Sequence, residues 1–199
     1  MSSVAFALRA RSFRVALELT ASGHHPAIRG RKPLAGPLAA SDYWIELTNP
    51  RDLDLIADPP EVVRISASDL REAQRLRAGI RADAVAAGRD PDEITVLLDL
   101  DTLLAPTATL ARAELAQLDS SYAELRSAVS YVGTPAGLAG LIADIGAAEV
   151  ADGVTLRPLS LPGSLELILG EVADLLATRG IELAADGIAY TARTFRSAS

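Results

Sequence analysis

The chain has 199 residues, 49% of them hydrophobic and 23% charged, a formal net charge of −7, a pI near 4.9 and no cysteine. That balance fits a globular chain with one real core and argues against a nucleic-acid surface; without cysteine, disulfides, thiolate catalysis and thiolate metal ligation are excluded. No apolar run approaches the roughly 20 residues needed to cross a bilayer.

Met1 to Arg14 carries Arg9, Arg11 and Arg14 and no acid, which matches a transit segment in charge only. Its apolar piece, Val4 to Leu8, is too short for a secretory core. Residues 1–12 therefore read as a poorly defined start, and the protein as cytoplasmic. Phe13 to Ala21 predicts the first strand, with Val15, Leu17 and Leu19 on one face and Ala16, Glu18 and Thr20 on the other. It runs into Ser22-Gly23-His24-His25-Pro26 and a Gly/Pro-punctuated loop to about Ala40. A brief helix is predicted from Ser41 or Asp42, ended by Pro50. After Asp58-Pro59-Pro60, Glu61 to Ser66 is a strand.

Ser68 or Asp69 caps a helix to about Ala87, with Leu70, Ala73, Leu76, Ile80 and Ala84 inward. Gly88 ends it, and Arg89-Asp90-Pro91-Asp92 turns the chain. Ile94 to Leu100 is nearly continuously apolar, as a strand covered on both faces should be. Thr107 to Val129 predicts a helix, from Ala111, Leu115, Leu118, Tyr122, Leu125 and Val129. Thr134 caps a helix that opens on Pro135, where a missing N–H costs nothing. Leu138, Leu141, Ile142 and Ile145 make its apolar stripe. Asp152-Gly153 is a turn, and Val154 to Pro158 a strand. Leu161-Pro162-Gly163 opens a last amphipathic helix on Leu165, Ile168, Leu169, Val172, Leu175 and Leu176, stopped by Gly180. Four strands alternating with helices of crossover length predict α/β architecture with a parallel sheet.

Several of these pieces, in order, resemble the bacterial luciferase-like flavin-dependent monooxygenases, in the branch of the nitrilotriacetate and dibenzothiophene-sulfone enzymes. They are Gly23-His24-His25-Pro26, Tyr43-Trp44, the Ala86 to Ile94 connection, Gly133-Thr134-Pro135, Ala151-Asp152-Gly153, Leu161-Pro162-Gly163 and Thr178-Arg179-Gly180. The tail from Tyr190 to Arg196 is similar to that family's closing segment, which packs outside the barrel. The resemblance implies a (β/α) barrel, for which about 250 residues is typical. The chain passes from the family's first helix to a late strand within Leu55 to Val62. The expectation is a single truncated luciferase-like β/α domain over 1–199: an incomplete TIM-type barrel, its two flanks joined without the middle.

The resemblance also implies an oxidoreductase acting with reduced FMN or a deazaflavin and O₂ on a small organic substrate. The flavin does the difficult chemistry and the protein supplies orientation and dryness. The family's phosphate-gripping loop has no counterpart, and no Gly-x-Gly-x-x-Gly or P-loop replaces it. His24, His25 and Thr20 are the candidate cofactor-binding residues, since the loop after the first strand would face the flavin. The other reading of His24-His25 is a surface turn. A metal site is not expected, because no third ligand lies near them.

Glu18 either points inward in a barrel or faces solvent or an arginine. Asp99 and Asp101, about 7 Å apart along one strand face, read as a helix cap or a strand-end polar site rather than an acid–base pair. Arg157 reads as a surface ion pair or an anion contact. The competing reading of the whole chain is a non-catalytic relative that binds flavin or pairs through open sheet edges with a second copy or a full-length homologous subunit. A decayed fragment of marginal stability is the third. Neither nucleic acid nor membrane is an expected partner.

Overall fold

The computed structural model describes residues 12–20, 42–48, 62–118 and 128–196. Among them six strands form one sheet: β1 (Arg14–Thr20), β2 (Asp42–Glu46), β3 (Val62–Ile65), β4 (Thr95–Leu104), β5 (Val129–Gly133) and β6 (Gly153–Pro158). The order is β2-β1-β6-β4-β3, with β5 also on β4. β3 lies parallel to β4 from Thr95 to Leu98, and β5 takes up the same direction from Leu100 to Leu104. β6 lies parallel to both β1 and β4, so it is the buried centre of the sheet. The α/β class and the mostly parallel sheet are as predicted.

Two strands were not predicted. The helix expected from Ser41 or Asp42 is instead β2, antiparallel to β1 with Leu17 opposite Ile45. The reason is local: Ile45 and Leu47 pack with the main core while Trp44 packs on the other side, a period of two rather than 3.6. The helix predicted over Thr107 to Val129 is α2 (Ala108–Gln117) only. Leu118 is already extended, and Val129 opens β5. Tyr122 and Leu125 lie outside the described residues.

The helix punctuation matches the sequence. Asp69 caps α1 (Leu70–Ala86), accepting from the Glu72 N–H at 2.7 Å, and Glu72 accepts from the Ser68 N–H at 2.8 Å. Asp69 thus satisfies an orphan donor of the first turn, while Glu72 reaches back to the residue before the cap. Gly88 leaves α1 at φ +71°, a conformation that costs glycine little. Thr134 caps α3 (Pro135–Ala147), accepting from the Gly137 N–H at 3.3 Å. The last predicted helix is present but interrupted. It runs as α4 (Gly163–Leu167), a π-turn over Ile168–Val172, and α5 (Ala173–Ala177). The tail forms α6 (Ala185–Arg196).

One face of the sheet packs on these helices. Val15, Leu17, Leu19, Val96, Leu98, Leu100, Val154 and Leu156 meet Leu138, Ile142 and Ile145 of α3 and Leu165, Ile168, Val172 and Leu176 of the last helical run. Each fully buried aliphatic side chain contributes roughly 1.5–3 kcal/mol, so this face is the main source of stability. Gly153 shows how tightly β6 is held. A Cβ there would run into the Arg14 carbonyl oxygen of β1 and a methyl of Leu97 in β4. Gly153→Ala is expected to cost about 1–3 kcal/mol through this overpacking, read from the midpoint of urea unfolding. An unchanged midpoint would mean the strands can spread.

Candidate functional site

The other face of the same strands carries charge. Strand alternation turns Ala16 and Glu18 of β1, Trp44 of β2, Val62 and Arg64 of β3, Leu97, Asp99 and Asp101 of β4, and Thr155 and Arg157 of β6 away from the helices. Leu97 packs there with Ala16, Trp44 and Val62. Beyond this apolar patch, toward the carboxyl ends of the parallel strands, five charged side chains interlock. That is the end at which (β/α) proteins build their sites.

Arg64 donates from Nε to Asp99 and from Nη2 to Glu18. Arg157 donates from Nη1 to the second Asp99 oxygen at 3.0 Å, and its Nε lies 2.7 Å from Asp101 Oδ1. Asp99 therefore bridges the two guanidinium groups. The three carboxylates are only 2–7% exposed, and the arginines 20% and 15%. Arg64 also stacks on Trp44, its Cζ 5.5 Å from the ring centroid. The Trp44 indole N–H donates to Thr155 Oγ1 at 3.0 Å. Toward the end of β4, Leu103 and Ala105 pack with Ala111 of α2 and with Leu159, closing that side.

Electrostatics follow from burial. Burial opposes the Arg64 charge, but Asp99 and Glu18 outweigh it and hold its pKa above the ordinary value. For Asp99, burial wins over the pull of Arg64 and Arg157, and its carboxyl is pushed up.

The predicted site residues divide. Glu18 is buried and paired with an arginine, not solvent-facing. Asp99 and Asp101 do share a face, but they lie inside an ion-pair network rather than at a polar strand end, because β3 and β6 bring arginines to both. Arg157 is part of that network, not a surface pair, since β6 is the central strand. Thr20 is the last residue of β1, and its side chain lies outside what the structure describes. His24 and His25 lie outside the described residues. Arg64 was not singled out from sequence, and Trp44 stood there only as a piece of the family resemblance, not as a site residue. Alternation within Val62-Val63-Arg64-Ile65 was the available signal for Arg64; the helical reading of Tyr43-Trp44 hid the tryptophan.

Solved structures that are similar to this chain in fold include the following. One is a riboflavin lyase with modified FMN and the substrate riboflavin, 20% identical, TM-score 0.52, matched over 61% of this chain and 39% of that one. Another is the EDTA monooxygenase of Chelativorans sp. BNC1, 21% identical, TM-score 0.52, over 61% and 40%. A long-chain alkane monooxygenase gives 20% identity and a TM-score of 0.52, over 61% and 37%. The chain shares their fold. The resemblance stated from sequence is thus borne out at the level of fold. The matched part of this chain spans about two-fifths of the length of those structures. No family model matches the chain, and no curated protein does.

The charged face does not fit the phosphate of FMN. Both of its arginines are engaged by carboxylates, and among the described residues two arginines face three carboxylates. At the start of α3 the Gly137 N–H donates to Thr134 Oγ1. Among the described residues no cluster of metal-ligating side chains occurs, and no helix is long and apolar enough to cross a membrane.

Proposed function

We propose that this chain is a luciferase-like member of the flavin-dependent monooxygenase group, an oxidoreductase acting with reduced flavin and O₂ on a small organic substrate. The observation that carries the reading is strand order. The first strand lies beside the last described one, β1 against β6, as a closing ring of strands requires. Charged side chains occupy the face away from the helices, at the carboxyl ends of the strands. With about two-fifths of the length of the similar structures matched, we read an incomplete barrel whose flanks are joined near residues 55–62. The protein is read as cytoplasmic.

When bound, flavin would supply the oxygen chemistry, and the chain would supply position and exclusion of water. In this reading Thr20, His24 and His25, at and beyond the carboxyl end of β1, hold the flavin. FMN is the expected form, with a deazaflavin the alternative.

The engaged arginines favour a second reading: a non-catalytic relative that binds flavin or pairs with a second copy or a full-length homologue. One preparation separates the two. The protein is mixed with FMN, desalted and assayed for O₂ uptake with an NAD(P)H-dependent flavin reductase. Retained flavin with uptake above the protein-free blank supports the enzyme. A colourless protein eluting as a dimer, with no uptake above the blank, sinks the enzyme and leaves the pairing role. A non-cooperative melt supports a decayed fragment instead.

A further inference from the structure

We infer that the charged face of the sheet is closed to phosphate, so that a flavin meeting it does so without its phosphate there. This deepens the flavin reading and rests on it only for the choice of flavin. The ground is the position of Asp99. One of its oxygens accepts from Arg64 Nε and the other from Arg157 Nη1 at 3.0 Å. A phosphate bridging two guanidinium groups would need that same place.

Displacing Asp99 is unfavourable on two counts. Its carboxylate is 7% exposed and would leave two cations for no comparable partner. Glu18 and Asp101 would remain within the same cluster, on Arg64 Nη2 and Arg157 Nε. A phosphate carrying about −1.5 to −2 at neutral pH would then join a group in which Glu18 and Asp101 already balance the two arginines. The Trp44 ring over Arg64, and its indole bond to Thr155, hold the first guanidinium from the other side.

The single tryptophan of the chain is part of this face, so its emission reports on the face alone. Inorganic phosphate is titrated into the full chain at constant ionic strength while Trp44 emission is followed. No saturable change is expected up to about 20 mM phosphate, which corresponds to affinity weaker than this value. A saturable wild-type response in the low-millimolar range overturns the inference.

Glu18→Gln combined with Asp101→Asn keeps both shapes and removes two of the three carboxylates that face the arginines among the described residues. This double variant is expected to respond to phosphate at least about tenfold more tightly than wild type. A cooperatively melting double variant with no response also overturns the inference. If it fails to melt cooperatively, the wild-type titration decides alone.

Riboflavin and FMN separate this inference from the flavin reading. Retention of the two within about threefold of each other supports phosphate closure. FMN held about tenfold more tightly, with a phosphate-dependent change at Trp44, overturns it. Retention of neither flavin sinks the flavin reading and leaves closure to the phosphate titration.

Discussion

Arg64→Met is expected to lower stability by about 3–5 kcal/mol, because it strips buried Glu18 of its close partner and buried Asp99 of one of its two. Glu18 and Asp99 both accept from this one guanidinium, and both are nearly inaccessible to water. Methionine fills similar volume, so the loss measures the charge rather than a cavity. Arg64→Lys restores the charge but not the fork that reaches two acids from Nε and Nη2. It should recover less than half of the loss. Asp99→Asn should cost less than Arg64→Met, since it removes a carboxylate that burial already opposes. Urea unfolding at neutral pH checks the series. A cost below about 1 kcal/mol for Arg64→Met would place the network among weak surface pairs and remove the closed face on which phosphate exclusion rests.

The same residues show what the sequence could and could not disclose. Helix limits were legible because caps are local: Asp69, Thr134, Pro135, Gly88 and Gly180 act within a few residues of themselves. The apolar faces were legible from spacing, as in Leu138, Ile142 and Ile145 of α3. β2 was lost because Tyr43-Trp44-Ile45 is too short to distinguish periods by count, and the family resemblance suggested a helix. The truth depended on β1, a non-local partner that supplies the hydrogen bonds.

The charge network was hidden for a related reason. Glu18, Arg64, Asp99, Asp101 and Arg157 sit on four strands, and only parallel pairing in this order brings them together. Asp99 opposite Thr155 in register, with Arg157 beside Asp101, is a property of the sheet and not of any one segment. Glu18, Asp99, Asp101 and Arg157 were therefore read one at a time, and Arg64 was not read as a site residue.

Asp152 is the second position where one substitution should matter greatly, and its effect should depend on pH. The sequence marks it only as the turn residue before Gly153. In the fold its side chain accepts from Arg77 Nε and Nη2 at 3.2 and 2.9 Å and from Arg81 Nη2 at 3.0 Å. It also accepts from the Val96 N–H at 2.9 Å. It thus fastens α1 to the start of β4, while its own backbone N–H donates to the Val96 carbonyl and its carbonyl accepts from Arg14.

Burial raises the Asp152 carboxyl, but the bonds from Arg77 and Val96 outweigh it and hold the pKa below the ordinary value. A depressed folded pKa stabilises above the unfolded value, about 3.9, and that contribution disappears as pH falls through the folded one. Asp99 has the opposite sign. Its raised pKa favours the folded state below the unfolded value, and the benefit is lost as pH rises through the folded one.

Asp152→Ala is expected to cost about 2–4 kcal/mol at pH 7, since it leaves Arg77 with Glu149 and Arg81 with Asp92 as their other partners and takes the acceptor from the Val96 N–H. Asp152→Asn, which keeps an acceptor for Val96, should cost roughly half as much. The difference between wild type and Asp152→Ala should shrink as pH is lowered below about 4. Asp99 is common to both proteins and cancels in that difference, so the acid limb isolates the α1 clasp. A difference that stays constant from neutral pH to about pH 2 would show that Asp152 acts through shape and not through its charge.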